Sequence, residues 1–123
     1  MPIVNITLVK GRDRAFIGAL SEIIHSAMVD TVNCPPHTRY HAINEVARED
    51  LIYLPEYKGL RRTDSVVLLQ ITLKEGRTTE QKKAMYERIS SDLNKKLGVR
   101  FEDVFIILTQ NSADDWYFGK AGG

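Results

Sequence analysis

Cys34 is the single cysteine of the chain, so no disulfide can join two of its own segments. It reads as a packed thiol in a reducing, cytoplasmic setting. Excess charge of either sign is also missing. Lys and Arg number 17 against 16 Asp and Glu, a net of +1. That balance argues against a broad nucleic-acid or acidic-membrane surface, while leaving room for a local basic pocket that holds a small acid. No apolar run approaches the roughly 20 residues that span a bilayer. The start lacks the basic and apolar regions of a leader and reads directly as a strand. Histidine is scarce too. His25 falls on a helix and reads as structural. His37 and His41 stand four apart with no acid cluster beside them, so neither a metal nor any other cofactor is expected. What remains is ordinary for one soluble domain: 123 residues, 43% hydrophobic and 27% charged.

The chain is written twice. Residues 6–12 read ITLVKGR and residues 71–77 read ITLKEGR. The offset of 65 sets Gly11 on Gly76 and Arg12 on Arg77, and carried on without gaps it sets Tyr40 on Phe105 and Ile43 on Leu108. Each copy reads β-α-β. In the first, Val4, Ile6 and Leu8 share one face of a strand over 3–9. Asp13 is placed to cap a helix whose stripe is Phe16, Ile17, Leu20, Ile23, Ile24, Ala27 and Met28. That helix fades near Asn33, and Pro35-Pro36 forbids its continuation. Tyr40 to Val46 is the second strand. In the second copy, Val66 to Leu73 is strongly β-forming. Thr78 with Gln81 has the spacing of a capping box, Met85, Ile89, Leu93 and Leu97 form the buried stripe, and Gly98 sits where a left-handed cap belongs. Phe105 to Leu108 is apolar throughout, as a strand buried on both faces would be.

The organisation is therefore a single domain over 1–123. Repeat one covers about 2–46, an ordered excursion 47–65, repeat two about 66–110 and a tail 111–123. The expected fold is α/β (α+β): a four-stranded mixed sheet with two helices on one face. Its other face then needs a cover, which self-association supplies. Trp116, Tyr117 and Phe118 in the tail are expected to pack on the body or on a neighbouring subunit.

These features resemble the tautomerase superfamily. Residues 66–119 look like 4-oxalocrotonate tautomerase: VVLLQITLKEGRTTEQKKAMYERI, then LGVRFEDVFIILTQ, then a short tail with FG. The whole chain is more similar to the malonate semialdehyde decarboxylase group, through PIV at 2–4, GR at 11–12, RY at 39–40, RTDSVVLLQIT at 62–72, YERI at 86–89 and NSADDWYFG at 111–119. The resemblance implies a homotrimer around packed sheets and chemistry centred on an N-terminal proline. Here that is Pro2 once Met1 is removed. The matching position of the second copy is Val67, an internal residue, so one site per chain is implied.

A terminal proline carries a secondary amine. A free α-amino group titrates at about 7.7–8.0. Apolar burial or a nearby cation favours its neutral form and makes it a general base near neutrality. A carboxylate substrate needs cationic donors. Arg77 is the candidate beside Pro2 in catalysis. Arg12, Lys74 and Arg39 are candidate binding groups, with Tyr40 as a hydrogen-bonding partner and Trp116 and Phe118 as an apolar wall. The malonate semialdehyde decarboxylases carry an aspartate where this chain has Thr38, and two arginines where it has Lys74 and Gly76. Glu45 is another carboxylate, a candidate to stand in for that aspartate. The expected activity is thus proton transfer within an enol or dienol 2-keto acid, without cofactor. The alternatives are a decarboxylase or hydratase of a 3-oxo acid, and a non-catalytic trimeric member.

Overall fold

A computed structural model describes residues 2–122. Strand β1 (Ile3–Val9) leads through helix α1 (Arg14–Val32) to strand β2 (His41–Val46). After a short 3-10 turn come two-residue strands β3 (Glu56–Tyr57) and β4 (Leu60–Arg61). The second copy follows as β5 (Val67–Lys74), α2 (Thr79–Leu97) and β6 (Val104–Asn111). The main sheet runs β2-β1-β5-β6. Each copy keeps its own strands parallel, β1 with β2 and β5 with β6, and the copies meet antiparallel at β1 and β5. The expected four-stranded mixed sheet of a tandem β-α-β unit is what forms.

Local chemistry explains the helix limits. The Asp13 carboxylate accepts from the Phe16 N–H at 2.8 Å. Asn33 closes α1 in a left-handed conformation, φ 59°, and the Cys34 N–H donates back to the Met28 carbonyl at 3.2 Å. Thr78 and Gln81 form the capping box that opens α2. Gly98 ends it with φ 69°. In the excursion, Lys58 (φ 50°) and Gly59 (φ 84°) turn the chain between β3 and β4. Two successive positive φ values match the right-handed twist of such a hairpin.

The core lies between the sheet and the helices. Val4, Ile6 and Leu8 on β1 and Val67, Leu69, Ile71 and Leu73 on β5 alternate inward and are buried. They meet Leu20, Ile24 and Met28 of α1 and Met85, Ile89 and Leu93 of α2. By length and composition α1 is apolar enough to cross a membrane, with a mean hydropathy of 1.3 over 18 residues. This corrects the expectation that no run comes near that limit. Its apolar stripe is the core-facing side of the domain.

Strand β6 departs from expectation. It stands at the sheet edge, not in its middle, and its burial alternates. Val104, Ile106 and Leu108 pack inward, whereas Phe105 and Ile107 stay exposed at 43% and 49%. A continuous apolar run does not tell a strand buried within one chain from one whose outer face is left for something else.

The strand end around Pro2

Pro2 is buried and continues the inward-facing row of Val4, Ile6 and Leu8. The last pair between β1 and β5 is Ile3 with Thr72, so one further step sets Pro2 opposite Leu73. On the other side the Val4 N–H donates to the Tyr40 carbonyl at 2.9 Å. Pro2 therefore starts its strand beside the end of β5, the end of β6 and the approach to β2. Met1, whose removal the chemistry requires, lies outside the described residues.

The turn after β5 brings Lys74 and Arg77 to this end. Arg77 is half-buried and bonded to the protein. Its Nε donates to the Val32 carbonyl at 2.9 Å and its Nη1 to the Lys74 carbonyl at 3.0 Å. Its Nη2 lies 4.0 Å from Cys34 Sγ. Val32 is the last residue of α1, where a carbonyl has no partner within the helix. Burial pushes the Cys34 thiol up, and the Arg77 guanidinium opposes that shift.

Lys74 lines a cavity of about 150 Å³ with Ala113, Trp116 and Phe118. The Trp116 indole N–H donates to Asn111 Oδ1 at 2.6 Å, and the ring stacks on Phe118 with centroids 5.9 Å apart. The Asn111 carbonyl accepts from the Glu75 N–H at 2.7 Å. Asn111 thus ties the tail to the β5 turn. In the sequence it stands only as the first residue of NSADDWYFG, five residues before the only tryptophan. Within one protomer Trp116 is the anchored residue of the tail, while Tyr117 is 82% and Phe118 68% exposed.

A polar cluster holds the segment before β2. Arg39 donates to Glu22 at 2.7 Å, which holds that carboxyl below its usual range. His25 is buried and donates from Nε2 to the Pro36 carbonyl at 3.1 Å. His41 Nδ1 lies 2.8 Å from the Ser21 hydroxyl. Burial, with help from Arg39 and His25, pushes the His41 pKa down to about 4. The Thr38 hydroxyl donates to the Pro35 carbonyl at 3.1 Å. The Tyr40 ring is exposed, one residue from His41 and so on the opposite face of β2.

Two residues fall elsewhere. Arg12 follows β1 at its far end. Six strand steps, about 20 Å at a rise near 3.3 Å, separate Ile3 from Val9. Because β1 and β5 are antiparallel, Arg12 and Arg77 occupy opposite ends of the sheet within one protomer. The Arg12 guanidinium sits over the Phe16 ring, 4.3 Å from its centroid. Glu45 pairs with Leu8 near the same far end and bonds Arg14 at 3.3 Å. No group of three or more His, Cys, Asp or Glu among the described residues is arranged to hold a metal ion.

Two family models, each described as tautomerase enzyme, match residues 38–119 and residues 2–61. The probable tautomerase YusQ of Bacillus subtilis (strain 168) is 42% identical over 98% of this chain and 94% of its own length. The probable tautomerase YrdN of the same organism is 28% identical over 97% and 92%. Among solved structures, a malonate semialdehyde decarboxylase with decarboxylase and hydratase activities superposes with TM-score 0.88 at 30% identity, covering 97% of this chain and 92% of that one. A fused 4-OT, a symmetric trimer, superposes with TM-score 0.77 at 24% identity over 98% and 93%.

Proposed function

The chain belongs to the tautomerase family, and from that premise we propose that it is a cofactor-independent isomerase of small enol or dienol 2-keto acids, with Pro2 as the base. One observation carries the reading. Pro2 is buried at the strand end where Lys74 lines an aromatic-walled cavity and the Arg77 guanidinium bonds the Lys74 carbonyl. Once Met1 is cleaved, the Pro2 nitrogen has a lone pair. Burial and neighbouring positive charge both favour an amine in its neutral form.

The amine takes the proton of the substrate's enol hydroxyl as the C–O bond gains double-bond character. The ring nitrogen, now charged, returns that proton to the carbon at the far end of the enol or dienol. Lys74 and Arg77 supply positive charge for the carboxylate and for the oxygen that becomes negative in between. Trp116 and Phe118 keep water from one side, which strengthens those interactions. No electron acceptor or metal takes part in the step.

The test is ketonisation of an arylpyruvate enol or of 2-hydroxymuconate. The Pro2→Ala variant is expected to lose about 100-fold or more, the usual share of a positioned acid-base group. Equal rates for variant and parent overturn the mechanism. Intact mass of the native protein shows whether Met1 is gone, and its retention favours a non-catalytic member.

Decarboxylation is the second reading, supported by the likeness to the malonate semialdehyde decarboxylase. Against it stands Thr38, which presents a hydroxyl already bonded to Pro35. Glu45 is committed to Arg14 near the other end. Incubation with malonate semialdehyde separates the two readings. We also propose a homotrimer. Leu68, Phe105 and Ile107 lie on the sheet face the helices leave open, and the fused 4-OT of the same fold is a trimer.

A further inference from the structure

The duplication runs past the last strand of each copy. A short 3-10 turn follows β2 at Arg48–Asp50, and another follows β6 at Ala113–Asp115, at the same offset of 65. Their backbones close in the same way. The Lys10 N–H donates to the Val46 carbonyl at 2.8 Å, and the Glu75 N–H to the Asn111 carbonyl at 2.7 Å. The Asp50 N–H donates to the Ala47 carbonyl at 2.9 Å, and the Asp115 N–H to the Ser112 carbonyl at 3.1 Å. One set of main-chain bonds thus ends the strand and forms the turn in both copies.

The side chains do not repeat. Val46 and Ala47 precede the first turn, and neither side chain can donate or accept a hydrogen bond. No side chain caps that turn, and the ion pair of Arg48 with Asp64 ties it to the excursion. Before the second turn stand Asn111 and Ser112. The Ser112 N–H and hydroxyl donate to Asp115 Oδ2 at 2.8 and 3.0 Å. The Trp116 indole N–H donates to Asn111 Oδ1 at 2.6 Å. The residue after the turn is Leu51 in one copy and Trp116 in the other. The strand end and its turn therefore form without the Asn111 and Ser112 bonds, which occur only at the end of the sheet that has Pro2.

Asn111 stands between two sides of the small cavity. It pairs with Lys74 across β5 and β6. Its carbonyl holds the turn that follows Lys74, and its side chain holds Trp116, which lines the cavity with Lys74, Ala113 and Phe118. An indole N–H donates and never accepts, so the place of its acceptor decides which way the ring faces. Asn111 and Trp116 are both half-buried, which limits the water that competes for that bond.

We propose that Asn111 is a positioning residue. Its side-chain oxygen fixes the Trp116 ring at the cavity, in a set relation to Lys74, and the Ser112–Asp115 pair shapes the turn that brings the ring back to it. This rests on the tautomerase reading of the same site and adds the group that sets its aromatic wall. It gives the NSADD part of NSADDWYFG a role there.

Trp116 is the only tryptophan of the chain, so its emission reads the wall without turnover. Asn111→Leu removes the acceptor and keeps a side chain of similar size. Its emission is expected to move to longer wavelength and to be quenched more readily by acrylamide. Its kcat/KM for an arylpyruvate enol should fall about fivefold, the share of one hydrogen bond, with the change carried by KM. Thr78→Ala, which weakens the fold elsewhere, should keep the parent's emission. Trp116→Phe keeps a ring and loses the N–H. In that background Asn111→Leu should change kcat/KM by no more than about twofold, because residues that act through one bond are not additive. An Asn111→Leu variant with the parent's emission and quenching overturns the assignment. So does an equal shift in Thr78→Ala, or the full kinetic loss repeated in the Trp116→Phe background. A parent that ketonises no enol acid rejects the tautomerase reading instead. The emission of Asn111→Leu then decides the positioning by itself: a shift supports it, and no shift overturns it.

Discussion

His41 is held neutral by its surroundings. Burial comes first, the positive charges of Arg39 and His25 add to it, and the Glu22 carboxylate opposes it. With a pKa of about 4 in the fold against 6.5 for the free side chain, the unfolded chain binds a proton in this window that the folded chain refuses. Stability from this group is therefore complete above pH 6.5 and falls as pH drops towards 4. His41→Asn keeps an acceptor for Ser21 without the titration. Urea midpoints at pH 7 and pH 5 should separate less for that variant than for the parent. Such a role was invisible in the sequence, where His41 was one of two histidines without an acid cluster. Arg77 was legible as a cation at the right turn, but its partners are carbonyls, which leave no mark in a sequence. Pro2 and Lys74 could be put forward from the sequence because the chemistry proposed for them lies in the side chain or the terminus. Arg12 was not separable from Arg77, because identical turns carry no information on which way neighbouring strands run.

At the scale of elements, the helices were the clearest part. Asp13, Asn33, Thr78 with Gln81, and Gly98 all sit at the boundaries their chemistry implies, because a cap is a local arrangement of a few adjacent residues. Thr78→Ala removes the hydroxyl that accepts from the Gln81 N–H, while the backbone N–H at 78 can still donate to Gln81 Oε1, and should cost about 1 kcal/mol, lowering the melting temperature by about 3–5 °C for a chain of this size. The thermal midpoint checks it, and catalysis by folded protein should persist. Strand β6 was misread for the opposite reason. In the proposed assembly its outer apolar residues answer to contacts that no single chain makes, so Phe105 and Ile107 give the same pattern as a strand buried on both faces.

For the whole molecule, that exposed face is the basis of the proposed assembly. Phe105 lies under the Arg62 guanidinium at 4.8 Å and borders a recess of about 540 Å³ with Tyr53, Leu54 and Leu68. Phe105→Asp places a charge on this face while leaving the inward row of Val104, Ile106 and Leu108 untouched. Native mass spectrometry should show trimers for the parent and monomers for the variant, with helical circular dichroism retained. A variant that stays trimeric places the contact on another surface.

The antiparallel meeting of β1 and β5 gives the sheet two related ends, only one of which has a proline. In a protein that paired two identical copies, every substitution would arrive at both ends together, and each would have to suit both. Covalent doubling removes that coupling. Under the proposed mechanism, the end with Val67 and Arg12 is released from the demands of the reaction and can drift, or take on a different duty, while the end with Pro2 and Lys74 is refined alone. One half of the chain is heritably an experiment that the other half does not have to survive.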